Sequence, residues 1–149
     1  EKAKAAGLII VFNPSPYNHV IETLPMDKID YLFINEVEGR QLSGSDNEKE
    51  IPRLILERYP AIKVILTLGE RGAVYADENQ YVYEPAIKTE VVDTVGAGDT
   101  FTGYFIYGIM SRKSVKECLN MASTASSIVI GRHGAGNSIP TLDEVEKAL

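Results

Sequence analysis

Tyr31-Leu32-Phe33-Ile34-Asn35-Glu36-Val37-Glu38-Gly39-Arg40-Gln41-Leu42-Ser43-Gly44 changes character at Asn35. The residues before it form a short apolar run suited to a strand. Asn35 stands where a helix N-cap belongs, Glu38 three residues on completes a capping box, and Gly44 stops the helix after Leu42. Strand passes to helix without a spacer. On the N-terminal side, Leu8–Phe12 is a continuous apolar run closed by Asn13-Pro14-Ser15-Pro16, which predicts a strand buried on both faces and then a loop. On the C-terminal side, Glu48–Tyr59 carries Ile51, Leu54 and Ile55 at helical spacing, and Ile62–Leu68 reads as another buried strand. Strands that alternate with helices predict an α/β protein, a three-layer αβα sandwich around a mostly parallel sheet.

Further along, Gly72–Ala76 and Gln80–Glu84 flank Asp77-Glu78-Asn79, a hairpin that would add antiparallel strands at one side of the sheet. Phe101, Tyr104, Phe105, Gly108 and Ile109 mark one face of a helix, and Val115–Ile130 is a second, rich in small residues. Arg132–Ser138 is a glycine-containing loop, and Thr141 with Glu144 predicts a capping box on a last helix. Glu1–Ala6 reads as the tail of a helix with Gly7 as its stop, so sequence upstream of Glu1 is expected. Nothing in 1–149 suggests a repeat or a linker, and the expectation is one domain or a large part of one.

A net charge of -6 leaves no basic footprint for nucleic acid. No apolar run approaches the roughly 20 residues of a membrane span. One cysteine and two histidines supply neither a disulfide nor a zinc cluster, and the chain reads as cytoplasmic.

The chemistry concentrates in Asp93-Thr94-Val95-Gly96-Ala97-Gly98-Asp99, which opens a helix. A helix start presents free backbone N–H groups and a partial positive charge, and glycines there let an anion approach the backbone. Gly96, Ala97 and Gly98 suit that role. Asp99 does not suit a plain phosphate binder, because a carboxylate repels phosphate; it suits a base that takes the proton of an attacking hydroxyl while the N–H groups stabilise the moving phosphoryl group. A tight turn capping a helix is the alternative. The dinucleotide fingerprint fails at Phe101, the Gly-Lys of a P-loop occurs nowhere, and the protein-kinase triplets are missing.

Asp93–Phe101 resembles the C-terminal signature of the ribokinase-like carbohydrate kinases. Asn13-Pro14-Ser15-Pro16 is similar to their Asn-Pro-Ala-Pro segment, and Asn35-Glu36-Val37-Glu38 to their Asn-x-x-Glu motif. Thr67-Leu68-Gly69-Glu70-Arg71-Gly72 resembles their nucleotide-binding turn, and Gly134-Ala135 to Ser138-Ile139-Pro140 their closing loop. The similarity is ordered and spans nearly the whole chain as a C-terminal portion; the family's N-terminal half and lid sheet have no counterpart in it.

The resemblance implies an ATP-dependent kinase acting on a primary sugar hydroxyl. Asp99 would be the base, with Gly96, Ala97 and Gly98 as the anion hole. Asn35 and Glu38 would organise Mg²⁺ and its waters at the ATP phosphates, although a capping box alone also accounts for them. Thr67, Gly69 and Gly72 would lie at the nucleotide, or form an ordinary turn. Ser123 aligns where relatives place Asn or His near the adenine. A K⁺ site would take the Asp93 carboxylate, the Ser138 hydroxyl and the carbonyls of Val95, Val129, Arg132 and Gly134; Asp93 as a turn residue is the alternative. A nucleoside or other small alcohol is the alternative acceptor, and a nucleotide-binding module inactive in isolation the alternative class. The oligomeric state is open, a homodimer included.

Overall fold

The computed structural model describes residues 2–134 and 136–149. Glu1, in the expected helix tail, and Ala135, in the closing-loop motif, lie outside the described residues. The five strands follow the order β1-β2-β3-β4-β5, and β1 to β3 run parallel. They are β1 (Val11–Phe12), β2 (Tyr31–Asn35), β3 (Lys63–Thr67), β4 (Ala73–Ala76) and β5 (Tyr81–Glu84). The chain divides into two compact units, Glu1–Leu68 with Val74–Tyr81, and Gly69–Ala73 with Val82–Leu149.

In the first unit, β2 and β3 have buried centres because their apolar runs are uninterrupted. Leu32, Ile34, Val64 and Leu66 meet Leu42 of α2 (Glu36–Ser43) and Ile51 and Ile55 of α3 (Ile51–Arg58) in one apolar core. Each such side chain contributes about 1.5–3 kcal/mol by leaving water. Gly44 ends α2 in a left-handed conformation, as its position after Leu42 led one to expect. The short α1 (Lys2–Ala5) is followed by Gly7.

Two expected boundaries are corrected. The strand expected over Leu8–Phe12 is confined to Val11–Phe12, and its burial is lost: Leu8 and Ile9 are 58% and 54% exposed. The Asp30 carboxylate accepts the Ile10 N–H at 2.8 Å, and the Ile10 carbonyl takes the N–H groups of Asp30 and Tyr31, so sheet pairing starts only beyond Ile10. The helix expected from Glu48 begins at Ile51, with Pro52 in its first turn, where a missing N–H costs nothing.

In the second unit, α4 (Ala97–Met110) and α5 (Val115–Ile130) form a helical hairpin. Small residues set their spacing: a Cβ on Gly108 would lie 2.7 Å from Cys118 Sγ. Phe101 and Phe105 stack along α4 with ring centroids 6.5 Å apart. Met121 and Ala125 of α5 pack with Val145 of α6 (Leu142–Ala148). Thr141 and Glu144 form the expected capping box, and Ser114 with Glu117 forms a further one on α5.

Candidate active site

The candidate residues fall into two groups, one in each unit. In the first, the parallel register sets Asn35 beside Thr67 at the ends of β2 and β3. The Asn35 Oδ1 accepts the N–H groups of Val37 and Glu38, both at 2.9 Å, and Glu38 Oε2 accepts the Asn35 N–H at 3.0 Å. The capping box is therefore formed, and it leaves Glu38, 5% exposed, with a second carboxylate oxygen beyond the bond to Asn35. The Thr67 hydroxyl donates to the Ile34 carbonyl at 3.4 Å and so bridges the two strand ends.

In the second unit, Gly69 opens a short 3₁₀ turn, Gly69–Arg71, and Gly72 follows it. Gly72 has φ 104°, and a Cβ there would lie 2.1 Å from the Glu84 carbonyl oxygen. The glycine is required by close backbone packing within this unit. Tyr83 fastens the same turn, its hydroxyl donating to the Arg71 carbonyl at 2.6 Å.

Gly96 occupies the N-cap position of α4 with φ 81°, which only glycine adopts without strain, and no described side chain caps this helix. The Ala97 N–H donates to the Thr94 carbonyl at 3.3 Å. The N–H groups of Gly98 and Asp99 find no partner among the described residues, so the helix start keeps donors for an anion. Asp99 lies in this first turn and is exposed. Thr100 beside it is buried, and its hydroxyl is without a partner among the described residues.

Asp93 ties two loops together. Its Oδ1 accepts the Val95 N–H at 3.0 Å and its Oδ2 the Gly134 N–H at 3.3 Å. Those N–H donors, Val95 first, hold its carboxyl below the usual carboxylate range. The Ile130 carbonyl takes the N–H groups of Val92 and Asp93, which brings the end of α5 to the same place. Asp93, Val95 and Gly134 are thus assembled, while the Val129 carbonyl already accepts the N–H groups of Gly131 and Arg132. Ser138 is 1% exposed, and Ser123 is buried on α5 at 8%. Among the described residues no group of three His, Cys, Asp or Glu side chains is placed to hold a metal ion, and no helix is long and apolar enough to cross a membrane.

Three side chains hold this region through contacts that no spacing in the sequence predicts. The Tyr104 hydroxyl donates to the Pro140 carbonyl at 2.7 Å, and Arg132 donates to the Ser138 carbonyl and to Glu144 Oε1 at 2.6 Å. The sequence points to Tyr104 by its helical spacing, to Glu144 by its capping role and to Arg132 only through its carbonyl. Arg132, with the Thr141 N–H, holds the Glu144 carboxyl down at about 2. A carboxyl with a depressed folded value adds stability above its unfolded value, near 4.5, and that contribution is lost as pH falls towards 2. Glu144→Gln is accordingly expected to lower the urea midpoint at pH 7 and to flatten its decline between pH 4.5 and 2; an unchanged decline would contradict the assignment.

Residues 1–142 match the family described as pfkB family carbohydrate kinase. The chain belongs to this family. Similarity to pfkB relatives covers nearly the whole chain: the ribokinase of Lactococcus lactis is 34% identical over 146 residues, which are 98% of this chain and 47% of the relative. The ribokinase structure from Thermotoga maritima superposes with a TM-score of 0.87 at 32% identity, covering 98% of this chain and 50% of that one. The Arabidopsis thaliana ribokinase, solved with ribose and ATP, gives a TM-score of 0.83 at 27% identity over 97% of this chain and 48% of its own. The pfkB chain described here therefore has the ribokinase fold and spans about half the length of the curated relatives it matches.

Proposed function

We propose that this chain is the nucleotide-binding and catalytic portion, residues 1–149, of an ATP-dependent kinase that phosphorylates a primary hydroxyl of a sugar. The observation that carries the reading is the uncapped start of α4, where open Gly98 and Asp99 N–H groups accompany an exposed carboxylate in the same turn. N–H groups at a helix start stabilise charge that develops on a transferring phosphoryl group. Asp99 accepts the proton of the attacking hydroxyl, and Gly96 lets the chain turn tightly enough for the phosphoryl group to approach the backbone. The relative solved with ribose and ATP supports a sugar as acceptor.

Thr67 in the first unit, and Gly69, Gly72 and Ser123 in the second, are the residues we assign to the nucleotide, Ser123 to its base. The hard oxygen donors of Asn35 and Glu38 fit Mg²⁺ held largely through water, which when bound neutralises charge on the phosphates. The oxygen set of Asp93, Val95, Val129, Arg132, Gly134 and Ser138 fits a K⁺ ion; Val129 would share its carbonyl with the Arg132 N–H.

Calorimetric titration of the folded 149-residue chain with Mg·ATP tests the reading. Saturable heat at one site per chain is expected, with little phosphorylation of ribose by the chain alone. Absence of heat from a chain shown by circular dichroism to be folded would contradict it.

A further inference from the structure

We propose that Ser126 is a positioning residue for the start of α4, acting on the Gly98 N–H through the Ala97 carbonyl; this rests on the phosphoryl-transfer reading above. The Ser126 hydroxyl, on α5, donates to the Ala97 carbonyl oxygen at 3.2 Å. That bond is distinctive in its setting: among the described residues Thr100 on α4 and Thr124 on α5 bury hydroxyls without partners, whereas Ser126 reaches across to the backbone of the first turn.

The carbonyl of Ala97 and the N–H of Gly98 belong to one planar trans peptide, so fixing one fixes the direction of the other. In a helix the carbonyl points along the axis and the N–H points back past the N-terminus, towards any anion seated there. The Ala97 N–H is already engaged with the Thr94 carbonyl, which makes Gly98 the first open donor of the turn. A hydroxyl donating to the carbonyl side also polarises the peptide and strengthens its N–H as a donor, by on the order of 10–30% per bond in a hydrogen-bonded chain. Ser126 thus acts at one remove: it touches no reacting atom, but it orients and sharpens the donor that does.

The neighbouring Asp99 N–H provides an internal control, since its peptide carbonyl belongs to Gly98 and Ser126 does not reach it. The experiment uses the ¹⁵N-labelled 149-residue chain with inorganic pyrophosphate as probe, comparing parent, Ser126→Ala and Ser126→Thr. Alanine is a better helix former than serine at this half-buried position, and fold retention is checked by thermal melting. In Ser126→Ala the Gly98 amide proton is expected to move upfield, with the Asp99 amide moving less, and pyrophosphate to bind about three- to tenfold more weakly. Ser126→Thr, which keeps the hydroxyl, is expected to restore both. A Gly98 amide and a pyrophosphate affinity unchanged in Ser126→Ala, while the parent's Gly98 responds to the anion, overturn the role of Ser126 alone. A parent whose Gly98 and Asp99 amides ignore pyrophosphate overturns the phosphoryl-transfer reading and this proposal together.

Discussion

Gly72→Ala is expected to destabilise the chain by about 3–5 kcal/mol, the sum of left-handed backbone strain and overpacking. The added Cβ would lie 2.1 Å from the Glu84 carbonyl oxygen, 2.8 Å from the Ala86 nitrogen and 2.8 Å from the Pro85 Cα. All three are backbone atoms, which cannot rotate aside as a side-chain tip can. The strand must shift, and with it the bond from Tyr83 to the Arg71 carbonyl. Gly103→Ala, in the exposed middle of α4 with nothing near its Cβ, should do the opposite and stabilise by about 1 kcal/mol. Urea denaturation reads both. An unchanged midpoint for Gly72→Ala would mean that the turn at Gly69–Arg71 is not held as described.

Gly72 also shows what could be read from the sequence and what could not. Its place in a nucleotide-binding turn was suggested by resemblance, yet the structure supplies a reason for the glycine that concerns backbone packing against Glu84 and Pro85. Helix ends were legible because capping is local: Asn35 with Glu38 and Thr141 with Glu144 lie three residues apart and form their boxes as expected. The first strand was misjudged because burial is not local. Leu8 and Ile9 are as apolar as Leu32 and Phe33, but they stay exposed among the described residues, and Asp30 engages Ile10 before pairing begins. At the site, glycines and carboxylates announce themselves by type and spacing. Ser126, Tyr104 and the side chain of Arg132 act through partners on other elements, and no spacing rule reveals such contacts.

Asp99→Asn is expected to remove most of the phosphoryl transfer while sparing nucleotide affinity. Asparagine preserves the size and exposure of the side chain in the first turn of α4, so the helix start and its open N–H groups remain. What is lost is the ability to accept a proton, and positioned general bases contribute about 10²–10⁴ in rate. The assay needs a complete kinase, which a chimera provides: this chain in place of the matching half of the Thermotoga maritima ribokinase, of which it covers 50%. Removing a carboxylate beside the phosphates also removes repulsion, so nucleotide binding should hold or tighten slightly.

On the proposed function, Asp99 is the base in phosphoryl transfer. The most direct measurement of this role is the steady-state rate of ribose phosphorylation by the chimera with Asp99 and with Asn at that position, at saturating Mg·ATP. A kcat lower by about a thousandfold with the KM for ATP within about threefold is expected. Turnover within tenfold of the Asp99 chimera would contradict it.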